Sequence, residues 1–314
     1  MALHLLISHA SAASDAAAAA LATLQWPHLT ALLQRLEPTL RLSGDEYSLH
    51  PPHERVLGDL HGWQAEDGGL PFAAWLAAQD GLPADPAAGW GLLTPCHWHV
   101  GSDQVALIDP DMLELQADES QALLEALRPS FEAEGWQIDW GAPLRWYARH
   151  PVLTHLKSAA LERAVGRNLD LWLRSQDLEA RRLRRLQVEA QMLWHEHPIN
   201  SEREARGLLP VNSFWLSGCG RAQPSQQPEG LEHDERLRTP MLRGDWPAWC
   251  ETWRALDAGP LAELLTRSRH GEDVTLTLCG ERHSQRFETR AGGWLHRLKR
   301  HWRPPLAATL LAEL

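Results

Sequence analysis

The chain has 314 residues, 44% of them hydrophobic and 23% charged, with a formal net charge of −11. That length buries a sizeable core, as one large α/β domain or as a core plus a smaller second domain. The acidic balance excludes nucleic acid as the main partner, because phosphate binding needs a basic face. No run of about 18 apolar residues offers a membrane span.

In chain order, LHLLIS (residues 3–8) reads as a short buried strand. The stretch MALHLLISHASAASDAAAAALATL is a weak mimic of a signal peptide, without a basic leading region and with Ser8 and His9 interrupting its apolar run. DAAAAALATLQWPHLTALLQRL has helical spacing and helix-favouring alanines, with Asp15 as the expected N-cap and a break at Pro27. SLHPPHERVLGDLHGW and LPFAAWLAAQDGL read as helices parted by Gly68-Gly69, and Asp85 to Gly89 as a loop. HWHVGSDQVALIDP reads as strand segments around a turn at Gly101-Ser102. DESQALLEALRPSFEAEG is an amphipathic helix, expected to be capped by Asp118 and broken at Gly135. WQIDWGAPLRWYARH alternates apolar and polar residues like a hairpin turning at Gly141. Residues 158–194 have helical spacing, and RRLRR (Arg181 to Arg185) reads as a solvated helix face.

LPVNSFWLSGCG reads as a half-buried strand, in which Gly218 and Gly220 let the backbone turn tightly. The following RAQPSQQPEGLEHDERLRTP reads as a loop. DWPAWCETWRALDAGPLAELLTRSR is helical with an interruption near Gly259-Pro260, VTLTLCG is a β-branched strand, and the tail from Gly292 reads as a basic helix with a final apolar segment. Helices alternating with strands predict an α/β sheet covered by helices. The four cysteines, Cys96, Cys219, Cys250 and Cys279, show no C-x-x-C spacing and read as free thiols of a cytoplasmic protein. The chain carries 16 Trp against 2 Tyr and 4 Phe, a count that points to no function by itself.

Several groups invite chemistry. His97 and His99 fall on one side of a strand, as an H-x-H pair that still needs a third ligand. His195 and His197 form a second such pair, and His283 follows Glu281 as a further metal candidate. Ser8 with His9 and Asp15 suggests a hydrolase, but no Gly-x-Ser-x-Gly elbow surrounds Ser8. Arg203 and Arg206, after Asn200, have the planar fork that suits phosphate or carboxylate, or are plain solvated helix charges.

HPIN, Arg203, Gly207 and LPVNSFWLSGCG together resemble a block of the archaeal-type cofactor-independent phosphoglycerate mutases of the alkaline phosphatase superfamily. DQVALIDPDMLELQADESQALLEALRPSF (103–131), LRWYARHP (144–151) and the stretch 253–284 resemble further segments of that family in matching order. The resemblance implies an alkaline-phosphatase-like helix-covered sheet formed by 1–90 and 186–314, with a smaller inserted α+β domain at 91–185. It also implies a small-anion cleft between core and insert, contacted by Arg145, Asn200, Arg203, Asn212, Trp215, Gly218 and Gly220.

The superfamily works with two divalent metals that activate a Ser or Thr nucleophile. Here the expected Asp-Gly after the first strand is replaced by Ser8-His9, the expected Asp-His by Cys279-Gly280-Glu281-Arg282-His283, and the expected Gly-His by a motif with Leu242. With that many ligands lost, the chain resembles the RpfE-type regulatory proteins of proteobacteria, shortened relatives without an assigned reaction. The expectation is a non-catalytic, regulatory protein without a cofactor, binding a small phosphorylated or carboxylate ligand and an unknown regulatory protein partner. The alternative is an active mutase or phosphatase with rebuilt Mn or Zn sites.

Overall fold

The structure, a computed structural model, describes residues 3–83, 85–102, 104–172, 178–289 and 307–314, without the side chains of 178–180. The elements run as follows: β1 (Leu3–Ile7), α1 (Asp15–Ala22), α2 (Pro27–Leu33), β2 (Leu36–Ser43), α3 (Pro52–His61), α4 (Phe72–Gln79), β3 (Gly89–Val100), β4 (Val105–Ile108) and α5 (Ala117–Ala133). There follow β5 (Gln137–Ala142), β6 (Arg145–Arg149), α6 (Leu161–Ala164), α7 (Leu178–His195), α8 (Pro198–Ala205), β7 (Ser213–Arg221) and β8 (Leu231–Asp234). The chain closes with α9 (Arg238–Leu242), α10 (Trp246–Leu256), α11 (Ala262–Arg269), β9 (Val274–Cys279), β10 (His283–Thr289) and α12 (Ala307–Ala312). Two compact units result, Met1–His61 with Gln226–Leu314 and the continuous segment Gly62–Ser225. The continuous segment extends beyond the insert expected at 91–185 at both ends.

The first unit is built on a five-stranded sheet in the order β2-β10-β9-β1-β8. β1 is parallel to both of its neighbours, with His4 opposite Leu231 of β8 and Leu3 opposite Val274 of β9. β10 runs antiparallel to β9 and β2. A strand with parallel neighbours on both sides is buried on both faces, which is why LHLLI is nearly all apolar. Leu5, Ile7, Leu276 and Leu278 join Trp249, Trp253, Leu261 and Leu264 of the covering helices in one core. The expected interruption at Gly259-Pro260 is a π-helical turn, Asp257–Leu261. Its Asp257 carboxylate accepts the backbone N–H groups of His28 and Leu29, at 3.2 and 2.9 Å, and so caps α2.

The second unit is an antiparallel sheet in the order β4-β3-β6-β5, with β7 also paired to β3. Alternation along the strands sends Leu93, Trp146, Ala148, Phe214 and Leu216 to one core with α5 and α7. Trp90 and Tyr147 pack instead with Ala73, Ala74 and Ala77 of α4. Gly218 has φ +61, and a Cβ there would lie 2.9 Å from the backbone nitrogen of Ala73. The strand therefore needs glycine where α4 is laid against it.

Several local expectations are corrected. Ser14, not Asp15, caps α1, its side chain accepting from Ala17 N. Gln116, not Asp118, precedes α5, and its N–H donates to the Glu119 carboxylate at 3.2 Å. The stretch 221–240 contains β8, and β2 and β10 are strands that the pattern did not single out. Within 158–172 only α6 and a short 3₁₀ turn, Leu169–Leu171, are helical. The basic part of the tail lies outside the described residues.

Candidate functional site at the carboxyl edge of the parallel sheet

Ligands of open α/β sheets gather beyond the carboxyl ends of parallel strands, where turns expose backbone donors. In the first unit that edge is formed by the ends of β1, β8 and β9. The ladder continues one step past β1: Ser8 N donates to Asp234 O at 3.1 Å, and Ala10 N donates to Cys279 O at 2.8 Å. Between them His9 turns left-handed, with φ +58, a rare conformation for a residue with a Cβ. Its carbonyl accepts from Trp249 Nε1 at 3.2 Å. Strained residues of this kind persist where the surroundings over-determine them, and they cluster at functional sites.

The twist at His9 assembles four polar side chains. The Ser8 hydroxyl lies 2.6 Å from His233 Nε2 on β8. The His9 and His53 rings are 4.8 Å apart, and the His53 and His233 rings 6.2 Å apart. Ser8, His9 and His53 are buried, and the His233 side chain is 21% exposed. His53 stands in the first turn of α3, followed by Glu54, whose carboxylate reaches His50 Nδ1 at 2.6 Å. The cluster is a hydroxyl among imidazoles. Protonated, it presents donors and positive charge to an anion; neutral, it presents nitrogen ligands.

The carboxylates of this edge are already committed. Asp234 is gripped by Arg236, with Nη2 at 2.6 Å and Nε at 3.1 and 3.0 Å from its two oxygens. Glu281 accepts from Ala13 N at 2.6 Å. His283 stands among Arg41, Arg55 and Arg282; burial first, then those positive neighbours, lower its pKa. A pair of hard dications needs several uncommitted carboxylate oxygens. The residues at this edge do not fit such a pair.

The anion cleft read from the resemblance has a different fate. All seven of its residues lie in the second unit and are spent inside it. Arg145 grips Asp80, Nη2 to Oδ1 at 2.8 Å and Nε to Oδ2 at 2.9 Å, and Tyr147 donates to the same carboxylate at 2.6 Å. The hydrogen bond from Arg145 is the largest reason that Asp80 is held below the usual carboxylate range. Asn200 donates to Trp194 O and Val211 O and accepts from Val211 N. Arg203 is fully buried and donates to Glu119 Oε2 at 2.5 Å, to Leu209 O at 3.0 Å and to Leu113 O. Asn212 bridges β7 to the backbone of Trp98. Trp215 donates to Ala159 O, and Gly218 and Gly220 leave room for close backbone neighbours. Asn200, Arg203, Asn212 and Trp215 brace buried backbone that needs partners, whereas the Arg145 side chain, 42% exposed, is held by a carboxylate.

The histidine pairs fare similarly. His97 Nδ1 contacts Pro210 O at 2.8 Å, with the His99 ring 6.5 Å away. His197 accepts from Ile199 N and starts α8, while His195 is exposed at the end of α7. Among the described residues, none of His97, His99, His195, His197 and His283 belongs to a convergent group of three metal-ligating side chains. His53 and His233 carry no signal in the sequence; only their partners across the fold make them notable. Ser8 and His9 are in view in the sequence, and the imidazole that meets the Ser8 hydroxyl is that of His233.

Comparison with known proteins places the chain only loosely. No protein family and no curated protein matches the sequence. Among solved structures it is similar to the cofactor-independent phosphoglycerate mutase of Thermoplasma acidophilum, at 12% identity over 93% of this chain and 90% of that one, with a TM-score of 0.37. It is also similar to the PH0037 protein of Pyrococcus horikoshii, at 9% identity over 93% and 88% of the two chains, with a TM-score of 0.48. Likenesses of that strength carry no argument about activity, metal or substrate.

Proposed function

We propose that this chain is a non-catalytic, regulatory relative of the cofactor-independent phosphoglycerate mutases, cytoplasmic, of the RpfE type, that binds a small phosphorylated or carboxylate ligand. The observation that carries the reading is the cluster of Ser8, His9, His53 and His233 at the carboxyl edge of the first unit's sheet. An imidazole–hydroxyl cluster donates to anions and attracts them when protonated. The sequence resemblance in the 197–220 block supports the relationship, although its residues serve the second unit's interior.

The ligand site is therefore proposed at the β1 edge and not at Arg145, Asn200, Arg203 and Asn212. Calorimetric titration with inorganic phosphate and with 3-phosphoglycerate tests it. Binding should weaken in Ser8→Ala and His233→Gln while Arg145→Ala leaves it unchanged. Absence of binding by both anions, or binding abolished only by Arg145→Ala, sinks the assignment.

One contact favours the rival reading of an active phosphotransferase: the Ser8 hydroxyl is within reach of an imidazole base, as a nucleophile requires. That reading needs Mn or Zn held by ligands beyond those the first unit assembles at its sheet edge. Stoichiometric Mn or Zn in the purified protein, with phosphatase or mutase activity lost in chelator, overturns the non-catalytic proposal.

A further inference from the structure

A cavity of about 220 Å³ opens within the second unit, lined mainly by Trp63, Trp75, Trp90, Pro71, Leu82 and Asp85. Its walls are rings at steep angles. The Trp63 and Trp75 centroids are 6.0 Å apart with planes at 72°, and Phe72 packs edge-on behind Trp63 at 5.1 Å. Trp90 is fixed by its Nε1, which donates to the Asp85 carbonyl at 3.0 Å. The Asp85 carboxylate is held in turn, one oxygen accepting from Ala87 N and Ala88 N at 3.1 and 3.2 Å. No Lys, Arg or His is among the described lining residues.

From this arrangement we infer that the second unit carries an aromatic cage for a small methylated ammonium cation. Indole faces are electron-rich and attract cations, most strongly where water is excluded. A trimethylammonium head offers an apolar surface to the rings and a diffuse positive charge to Asp85, and it fits a cavity of this size. A chain of net charge −11 favours its approach. The same indole chemistry is already in use nearby, where the Arg149 guanidinium lies 5.4 Å from the Trp90 ring with its charge balanced by Asp139 at 2.8 Å. The inference stands apart from the anion site of the first unit, and neither depends on the other.

The test titrates the full chain with choline chloride and with choline's uncharged carbon isostere, in which tert-butyl replaces trimethylammonium. Sodium chloride serves as the blank. Heat and indole N–H shifts in NMR spectra are followed. Choline should bind at least about tenfold tighter than the isostere, the margin a desolvated cation–π contact supplies. Asp85→Asn keeps the turn acceptor and removes the charge; it should weaken choline severalfold and leave the isostere unchanged. Trp75→Leu should weaken both; Asp85→Asn carries the test if Trp75→Leu fails to fold by circular dichroism. Equal affinity for the two ligands, or no binding of choline at millimolar concentration, overturns the proposal.

Discussion

Replacing Arg203 by alanine should unfold the protein more readily without touching ligand affinity. The side chain is 0% exposed and its guanidinium serves three acceptors, Glu119 Oε2, Leu209 O and Leu113 O. Truncation strands the buried Leu113 carbonyl, the part-buried Leu209 carbonyl and one side of a carboxylate that is itself only 9% exposed. Each stranded acceptor costs about 1–3 kcal/mol. Glu119 keeps one cationic partner, Arg206, but that side chain is 51% exposed and its pairing is weakened by solvent. The cost should therefore fall at about 3–5 kcal/mol, the range for breaking a buried ion pair from one side. Urea unfolding followed by circular dichroism reads it. The double variant Arg203→Met with Glu119→Leu should recover much of the loss, since the charge and its partner leave together. A stability within about 0.5 kcal/mol of wild type for Arg203→Ala, coupled with lost phosphate binding, would refute the reasoning and return Arg203 to a ligand site.

Three more outcomes are expected. His4 lies against Thr277 at 2.8 Å, and burial first, then Arg286, lowers its pKa from 6.5 to about 4. The folded state therefore binds this proton less readily than the unfolded chain, so stability is full above 6.5 and falls as pH drops toward 4; His4→Gln should flatten part of that slope in thermal melts. All four cysteines are buried, and burial pushes Cys219 up to about 12 and Cys96 and Cys279 higher still, so Ellman's reagent should leave the native thiols unmodified and label four in denaturant. Gly218→Ala meets both a left-handed backbone and the Ala73 nitrogen, and should cost about 1–3 kcal/mol in the same urea assay.

The parts of the fold legible in the sequence are those whose pattern is local. LHLLI reads as a buried strand because it is almost wholly apolar, as a strand inside a helix-covered parallel sheet must be, and the α5 stretch reads as a helix because its leucines recur on one side. β8 escaped because LEHD is short and polar, and its place in the sheet comes from pairing with β1. The site was harder. Ser8 and His233 are 225 positions apart, so no spacing could join them. Arg203 misled for a physical reason: a guanidinium that braces a carboxylate inside a protein carries the same sequence signal as one awaiting a ligand. Its partner Glu119 stands 84 positions away, where nothing local marks it.

The parallel ladder also dictates an order of assembly. β1 is made well before either of the strands that flank it, which lie on the far side of the second unit in the chain. The segment Gly62–Ser225, by contrast, emerges from the ribosome as one continuous piece. It can close its antiparallel sheet while LHLLI still waits, an apolar strand with no edges to join. During that interval the nascent chain is most exposed to mispairing, and slow steps in refolding should belong to the first unit.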